Sequence, residues 1–225
     1  MWFLKRPPIR PHSLSVTLGI ELNPNNWMFF CSRTANACDI IYLCHFENNT
    51  MLKSQDCIVL IKLLANIGSN LSQRQLSAAL GISLSEVNAG IKRLEEAGLL
   101  RKDKQGKLFP NVHAAEEFLI HSIKFLFPVK LGEYTRGTPA AIAAPLFRDK
   151  IALGNDPIPV WPDAMGEERG VALLPIHPNL SKTLRANPDA AFHELLVLID
   201  VIRSGRPRER NLAAALLKEK LNHAG

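Results

Sequence analysis

The sequence predicts a mainly α protein with a small β-hairpin, followed by a helical, loop-rich C-terminal extension. Three observations carry that prediction. Residues 54–97 hold three apolar-patterned segments with capping residues, parted by glycines. Residues 99–109 hold two short extended runs around Lys104-Gln105-Gly106. After a stretch rich in proline and glycine, residues 187–221 return to a strong helical period.

Ser54 is placed to cap a first helix over residues 55–67, with Asp56 in its first turn, where the helix dipole favours a negative charge. This segment is apolar nearly all round, so burial on more than one side is expected. Gly68-Ser69-Asn70 ends it. Ser72-Gln73-Arg74-Gln75 has the pattern of a capping box, serine at the cap and glutamine three residues on, and opens a helix to Leu80. Gly81 stands where a helix stops in a left-handed conformation.

Ser83-Leu84-Ser85-Glu86 is a second box of the same kind and opens a helix through Ala97. Leu84, Val87, Ile91 and Leu94 fall on one face of it; Ser85, Asn88, Ala89, Lys92 and Arg93 fall on or beside the other. Gly98 closes it. Residues 99–103 and 107–109 are the two strands of the hairpin, stopped by Pro110. A buried first helix, then two capped helices around a glycine turn, make a helix-turn-helix, and the hairpin makes it a winged one.

The stretch 71–109, LSQRQLSAALGISLSEVNAGIKRLEEAGLLRKDKQGKLF, resembles the MarR-type and related bacterial winged-helix transcriptional regulators, and IKRLEEAGLL is typical of their recognition helix running into the wing. With its flanking helices the resemblance reaches over residues 54–127. It implies double-stranded DNA as partner and a homodimer. Gly90 departs from the pattern: glycine inside a helix costs about 1 kcal/mol relative to alanine.

A major groove admits one helix. Asn88 suits a bidentate pair with adenine and Arg93 one with guanine; Ser85 reaches bases or phosphate, Ala89 lies beside them, and Lys92 meets phosphate. Arg74 accompanies the backbone N–H groups at the start of its helix, a second phosphate site. The wing sets Arg101, Lys102, Lys104 and Lys107 against the single acid Asp103. Glu86, Glu95 and Glu96 temper the face and argue against an indiscriminate polyanion binder.

Beyond the wing, Asn111 caps a helix over residues 112–127 with an apolar stripe of Phe118, Leu119, Ile123 and Leu126; the resemblance implies that this helix joins a dimer interface. Residues 129–186 read as loop-rich, with a short helix near residues 139–144 and an extended stretch around Trp161. Asn187 as cap and Pro188 at the first position open a helix to Arg203 striped by Phe192, Leu195, Leu196, Ile199 and Ile202. A final helix over 207–221 completes a hairpin able to pack on the core or on a second chain.

The division expected is 1–50, 51–127 and 128–225. Residues 1–50 keep no period, hold three of the four cysteines (Cys31, Cys38, Cys44, Cys57), and are expected to be a disordered arm or translated upstream sequence, with Met51 the natural start. The net charge of +6 over 225 residues is compatible with a polyanionic partner without requiring one. No apolar run is long enough to span a bilayer, no secretory signal is expected from the basic but interrupted N-terminus, and a reducing cytoplasm fits the cysteine usage.

No catalytic residue, cofactor or metal is expected. There is no nucleophile elbow, H-E-x-x-H or Walker loop, and Tyr134, Arg136, Asp163, Glu167, Glu168 and His177 read as solvated surface and loop anchors. His113 and His121 lack the companions of a metal site, and His193 reads as a partly exposed helix residue. The chain is thus read as a non-enzymatic transcription regulator. The alternative is an antitoxin-like interaction protein holding an operon-encoded partner through its C-terminal extension.

Overall fold

The computed structural model describes residues 51–154 and 156–224; the N-terminal segment expected to be an arm or a mis-assigned start lies outside them. In chain order, the elements are α1 (Ser54–Ala65), α2 (Gln73–Leu80), α3 (Leu84–Glu96), β1 (Leu100–Lys102) and β2 (Leu108–Pro110). Then come α4 (Val112–Glu117), a π-helical turn (Phe118–Ser122) and α5 (Ile123–Leu126), which together occupy the single helix expected after the wing. The extension contributes β3 (Leu131–Pro139), β4 (Pro159–Pro162), β5 (Glu168–Leu173), α6 (Leu180–Ala186), α7 (Ala190–Ser204) and α8 (Pro207–Ala224). Residues 51–224 fall in one compact unit.

Two helices that are apolar all round form its centre. In α1, Cys57, Ile58, Val59, Leu60, Ile61, Leu63 and Leu64 are all buried. In α7, residues 195–202 are buried without interruption, so the stripe of Phe192, Leu195, Leu196, Ile199 and Ile202 broadens to the whole circumference. At roughly 1.5–3 kcal/mol per fully buried aliphatic side chain, these two helices supply the largest share of core burial. The tail hairpin therefore packs on the core. Asp189 fixes it: its carboxylate caps α7 through the Phe192 N–H (3.0 Å), pairs with Lys62 of α1 (2.6 Å) and accepts from Asn66 (3.1 Å). Burial pushes the Asp189 carboxyl up, but these bonds outweigh it and hold it below the usual carboxylate range.

Several caps differ from the sequence expectation. Asp189, not Asn187, caps α7, so Pro188 precedes the helix. Lys53 occupies the cap position of α1 and Ser54 is its first helical residue; the Lys53 N–H donates to Asp56 at 2.8 Å. The Ser72 box is complete, with the Gln75 N–H donating to the Ser72 hydroxyl (3.3 Å) and the Ser72 N–H to the Gln75 side chain (2.8 Å). The Ser83 box is half-formed: its hydroxyl accepts from the Glu86 N–H (3.3 Å), while the Glu86 carboxylate accepts from the Ser83 hydroxyl and the Gln55 amide.

The stretch read as loop-rich contains a three-stranded sheet closed on itself. β3 pairs antiparallel with both β4 and β5, and β4 pairs parallel with β5. So small a closure demands missing side chains. A Cβ at Gly137 would lie 2.1 Å from the Trp161 carbonyl oxygen, and one at Gly170 1.9 Å from that of Ile158. The short helix near residues 139–144 is present as a 3-10 turn, Ala141–Ala143. Trp161 ties the sheet to the core: its indole N–H donates to buried Asp200 (2.7 Å), which also pairs with Arg203. Arg203 in turn donates to the Phe127 carbonyl (2.8 Å).

Candidate nucleic-acid interface

The α2–α3 turn is built by Gly81, left-handed at φ 64°. Beyond it, α3 buries Val87, Gly90, Ile91 and Leu94 against α1 and α2. The opposite side carries Ser85, Asn88 and Lys92, all exposed, with Ala89 half-buried beside them. Their spacing of three and four residues puts them on one face, and seven residues of helix extend about 10 Å, close to the width of a major groove. Leu84, expected among the buried residues, is 43% exposed at the leading end of the helix. Its position as the first helical residue places it beyond the partners that cover Val87, a signal present in the cap pattern.

Arg93 is a correction. It does not reach the outward face: it is buried, and its guanidinium grips the Asp56 carboxylate with two bonds of 2.7 Å, from Nε and from Nη2. The bond to Asp56 raises the Arg93 pKa further above its ordinary value, against the opposing effect of burial. Asp56, in the first turn of α1, is itself fully buried. The same pair accounts for Gly90, since a Cβ there would stand 2.6 Å from Asp56 Oδ1. Glycine in α3 is where the carboxylate passes. The signal in the sequence is the spacing: Gly90 and Arg93 are one turn apart, so a notch and a cation share a face.

The wing pairs Leu100 with Pro110, Arg101 with Phe109 and Lys102 with Leu108. Pro110 is thus the last paired residue of β2, not a stop beyond it. Asp103 shapes the turn, its Oδ1 accepting from the N–H groups of Gln105 and Lys107, both at 2.9 Å. With that carboxylate bound to backbone, the exposed Arg101, Lys102 and Lys104 dominate the tip. Lys107 is half-buried, its ammonium 4.9 Å from the centre of the Phe109 ring. Arg74 is exposed in the first turn of α2.

The extension meets the winged helix without covering this face. α6 packs on α2, where the Thr183 hydroxyl contacts the Leu80 carbonyl (3.2 Å). His177 is held below its ordinary pKa by burial, against the opposing charge of Glu86. Among the described residues there is no group of histidine, cysteine and carboxylate side chains that could hold a metal ion. Cys57 lies in the core, where burial pushes its thiol pKa far up, so it is no nucleophile. No described helix is long and apolar enough to cross a membrane.

Neither the curated proteins nor the solved structures contain a match to this chain. One family model does match, over the three helices and most of the wing. Residues 52–107, about a quarter of the chain, match the model of the MarR family, a family of DNA-binding transcription regulators, and the fold of this part is a winged helix.

Proposed function

We propose that the protein is a transcription regulator that binds double-stranded DNA in a sequence-specific way, without catalysing a reaction. The observation that carries this is the uncovered α3 face of Ser85, Asn88 and Lys92 beside a wing tip of Arg101, Lys102 and Lys104. Inserted in a major groove, Asn88 offers adenine a bidentate pair, Leu84 offers the thymine methyl an apolar contact, and Ser85 hydrogen-bonds a base edge or a phosphate. Ala89 is small enough to let the helix approach. Lys92, the wing cations Lys102, Lys104 and Lys107, and Arg74 at the start of α2 hold phosphates and fix the register. Arg93 has no part in this, because its donors are spent on Asp56.

The regulator acts as a homodimer reading a near-palindrome, with the helix after the wing at the interface. Phe125, 76% exposed, and Leu126, 47% exposed, are the apolar side chains of that helix left to a second copy. A protein partner gripped by the tail hairpin has less support, since the stripe of α7 is spent on α1.

Selection of duplexes from a random-sequence pool tests the reading. A two-fold-symmetric sequence should be enriched, with affinity falling steeply as salt rises. Absence of enrichment, or binding indifferent to salt, contradicts it.

A further inference from the structure

The outer surface of the closed sheet carries an arrangement that neither packing nor pairing within the chain explains. Arg136 of β3 and Arg169 of β5 are directly opposite one another in the antiparallel register. Residues so placed point to the same side of a sheet, and like charges there destabilise the pair. Both arginines are exposed, and among the described residues neither guanidinium has an ion-pair or hydrogen-bond partner.

Among the described residues no carboxylate, Glu167 two residues before Arg169 included, lies within ion-pair distance of either guanidinium. Glu168 is opposite Gly137, one residue out of phase with the arginines and so on the other side of the ladder. Asp163, whose N–H donates to the Arg136 carbonyl (3.1 Å), commits its carboxylate to Arg185 and to the Met165 N–H. Tyr134, two residues before Arg136 and also exposed, reaches across β5 towards the Arg169 carbonyl (3.5 Å).

This surface is connected to the helix-turn-helix through a short series of contacts. The backbone carbonyl of Arg136 accepts from the Asp163 N–H, the Asp163 carboxylate pairs with Arg185 of α6, and the Thr183 hydroxyl of α6 donates to the Leu80 carbonyl at the α2–α3 turn. Exposed Lys182 stands next to Thr183. The sheet is therefore braced against the end of the winged helix that bears the turn.

The geometry points to a second, sequence-independent phosphate clamp: Arg136 and Arg169 hold the backbone of duplex DNA flanking the sequence read by α3. The inference rests on the DNA-binding reading above and extends it to a domain face outside the matched family segment. Two unpaired guanidiniums side by side are suited to bidentate contact with phosphate oxygens, and their mutual repulsion is relieved when the anion binds.

The test uses the full chain and two duplexes by fluorescence anisotropy, one trimmed to the selected sequence and one extended by about one helical turn on each side. Replacing both arginines, Arg136→Ala with Arg169→Ala, should leave the trimmed duplex unaffected. On the extended duplex, where a homodimer brings four such arginines, it should lower the slope of log affinity against log salt by about four and weaken binding at least roughly tenfold near physiological salt. Arg136→Lys with Arg169→Lys should keep most of the slope, and circular dichroism of both double variants should match the parent. Unchanged slope on the extended duplex, with the parent protein still binding, overturns the clamp alone. Failure of the parent protein to bind either duplex overturns both readings. Loss of a co-purifying protein in place of the slope change assigns the arginines to that protein and likewise overturns the clamp.

Discussion

Asp56 and Arg93 join α1 to α3 by a buried bidentate ion pair, both bonds 2.7 Å long. The pair sets the rotation of α3 about its own axis. With Arg93 turned inward, Ser85, Asn88 and Lys92 face outward.

Removing one partner leaves the other charged and buried. Asp56→Ala or Arg93→Ala should each lower the free energy of unfolding in urea by about 3–5 kcal/mol. Replacing both with apolar residues, Asp56→Leu with Arg93→Met, should recover most of that loss, because desolvation of a buried pair offsets its attraction. An Arg93→Ala protein of parental stability that has lost preference for one base would return Arg93 to the outward face.

Gly90 gives a prediction of sign. Helix propensity alone favours Gly90→Ala by about 1 kcal/mol. The Cβ would approach Asp56 Oδ1 to 2.6 Å, and Asp56 cannot yield without losing Arg93. Gly90→Ala should therefore destabilise the protein, and become neutral or stabilising once Asp56 is alanine. Stabilisation in the parent background would show that the carboxylate does not occupy the notch.

Burial lowers the pKa of both His177 and His193, against the opposing charges of Glu86 and Glu194. An unfolded histidine titrates near its ordinary value of about 6.5. Below that pH the unfolded chain binds protons that the folded one does not, so stability should fall as pH drops from about 7 to about 5. His193→Gln should flatten the profile. Stability that rises on acidification over this range would contradict the burial of these rings.

If Phe125 and Leu126 meet a second copy, Phe125→Asp with Leu126→Asp should shift the protein from dimer to monomer in light scattering. The unfolding midpoint at low concentration should remain unchanged, since both side chains are exposed within one chain. A double variant that stays dimeric places the interface elsewhere.

The winged helix was legible because its signals are local. Ser72 with Gln75, Ser83 with Glu86, Gly81 and the 3.6-residue period each act within one or two turns, and they agree. Arg93 was misplaced because its partner lies 37 residues away and the period alone leaves it at the border of the two faces. The closed sheet was illegible for a related reason. Its glycines are required by contacts such as Gly137 with Trp161 and Gly170 with Ile158, whereas in sequence they resemble turn residues. Its ladders pair segments some thirty residues apart, as in Arg136 with Arg169. Of the candidate interface, the exposure of Ser85, Asn88 and Lys92 on one face was readable; the burial of Arg93 and the exposure of Leu84 depend on tertiary packing.

If the exposed side of α3 reads bases, Asn88→Ala removes the side chain suited to adenine. Affinity should be measured on the selected duplex and on a duplex changed at single positions. Binding to the selected sequence should weaken by about 1–3 kcal/mol for each half-site, discrimination should be abolished at one base pair in each half, and salt slope and stability should be unaltered. An Asn88→Ala protein that keeps parental affinity and discrimination at every position would contradict base reading by α3.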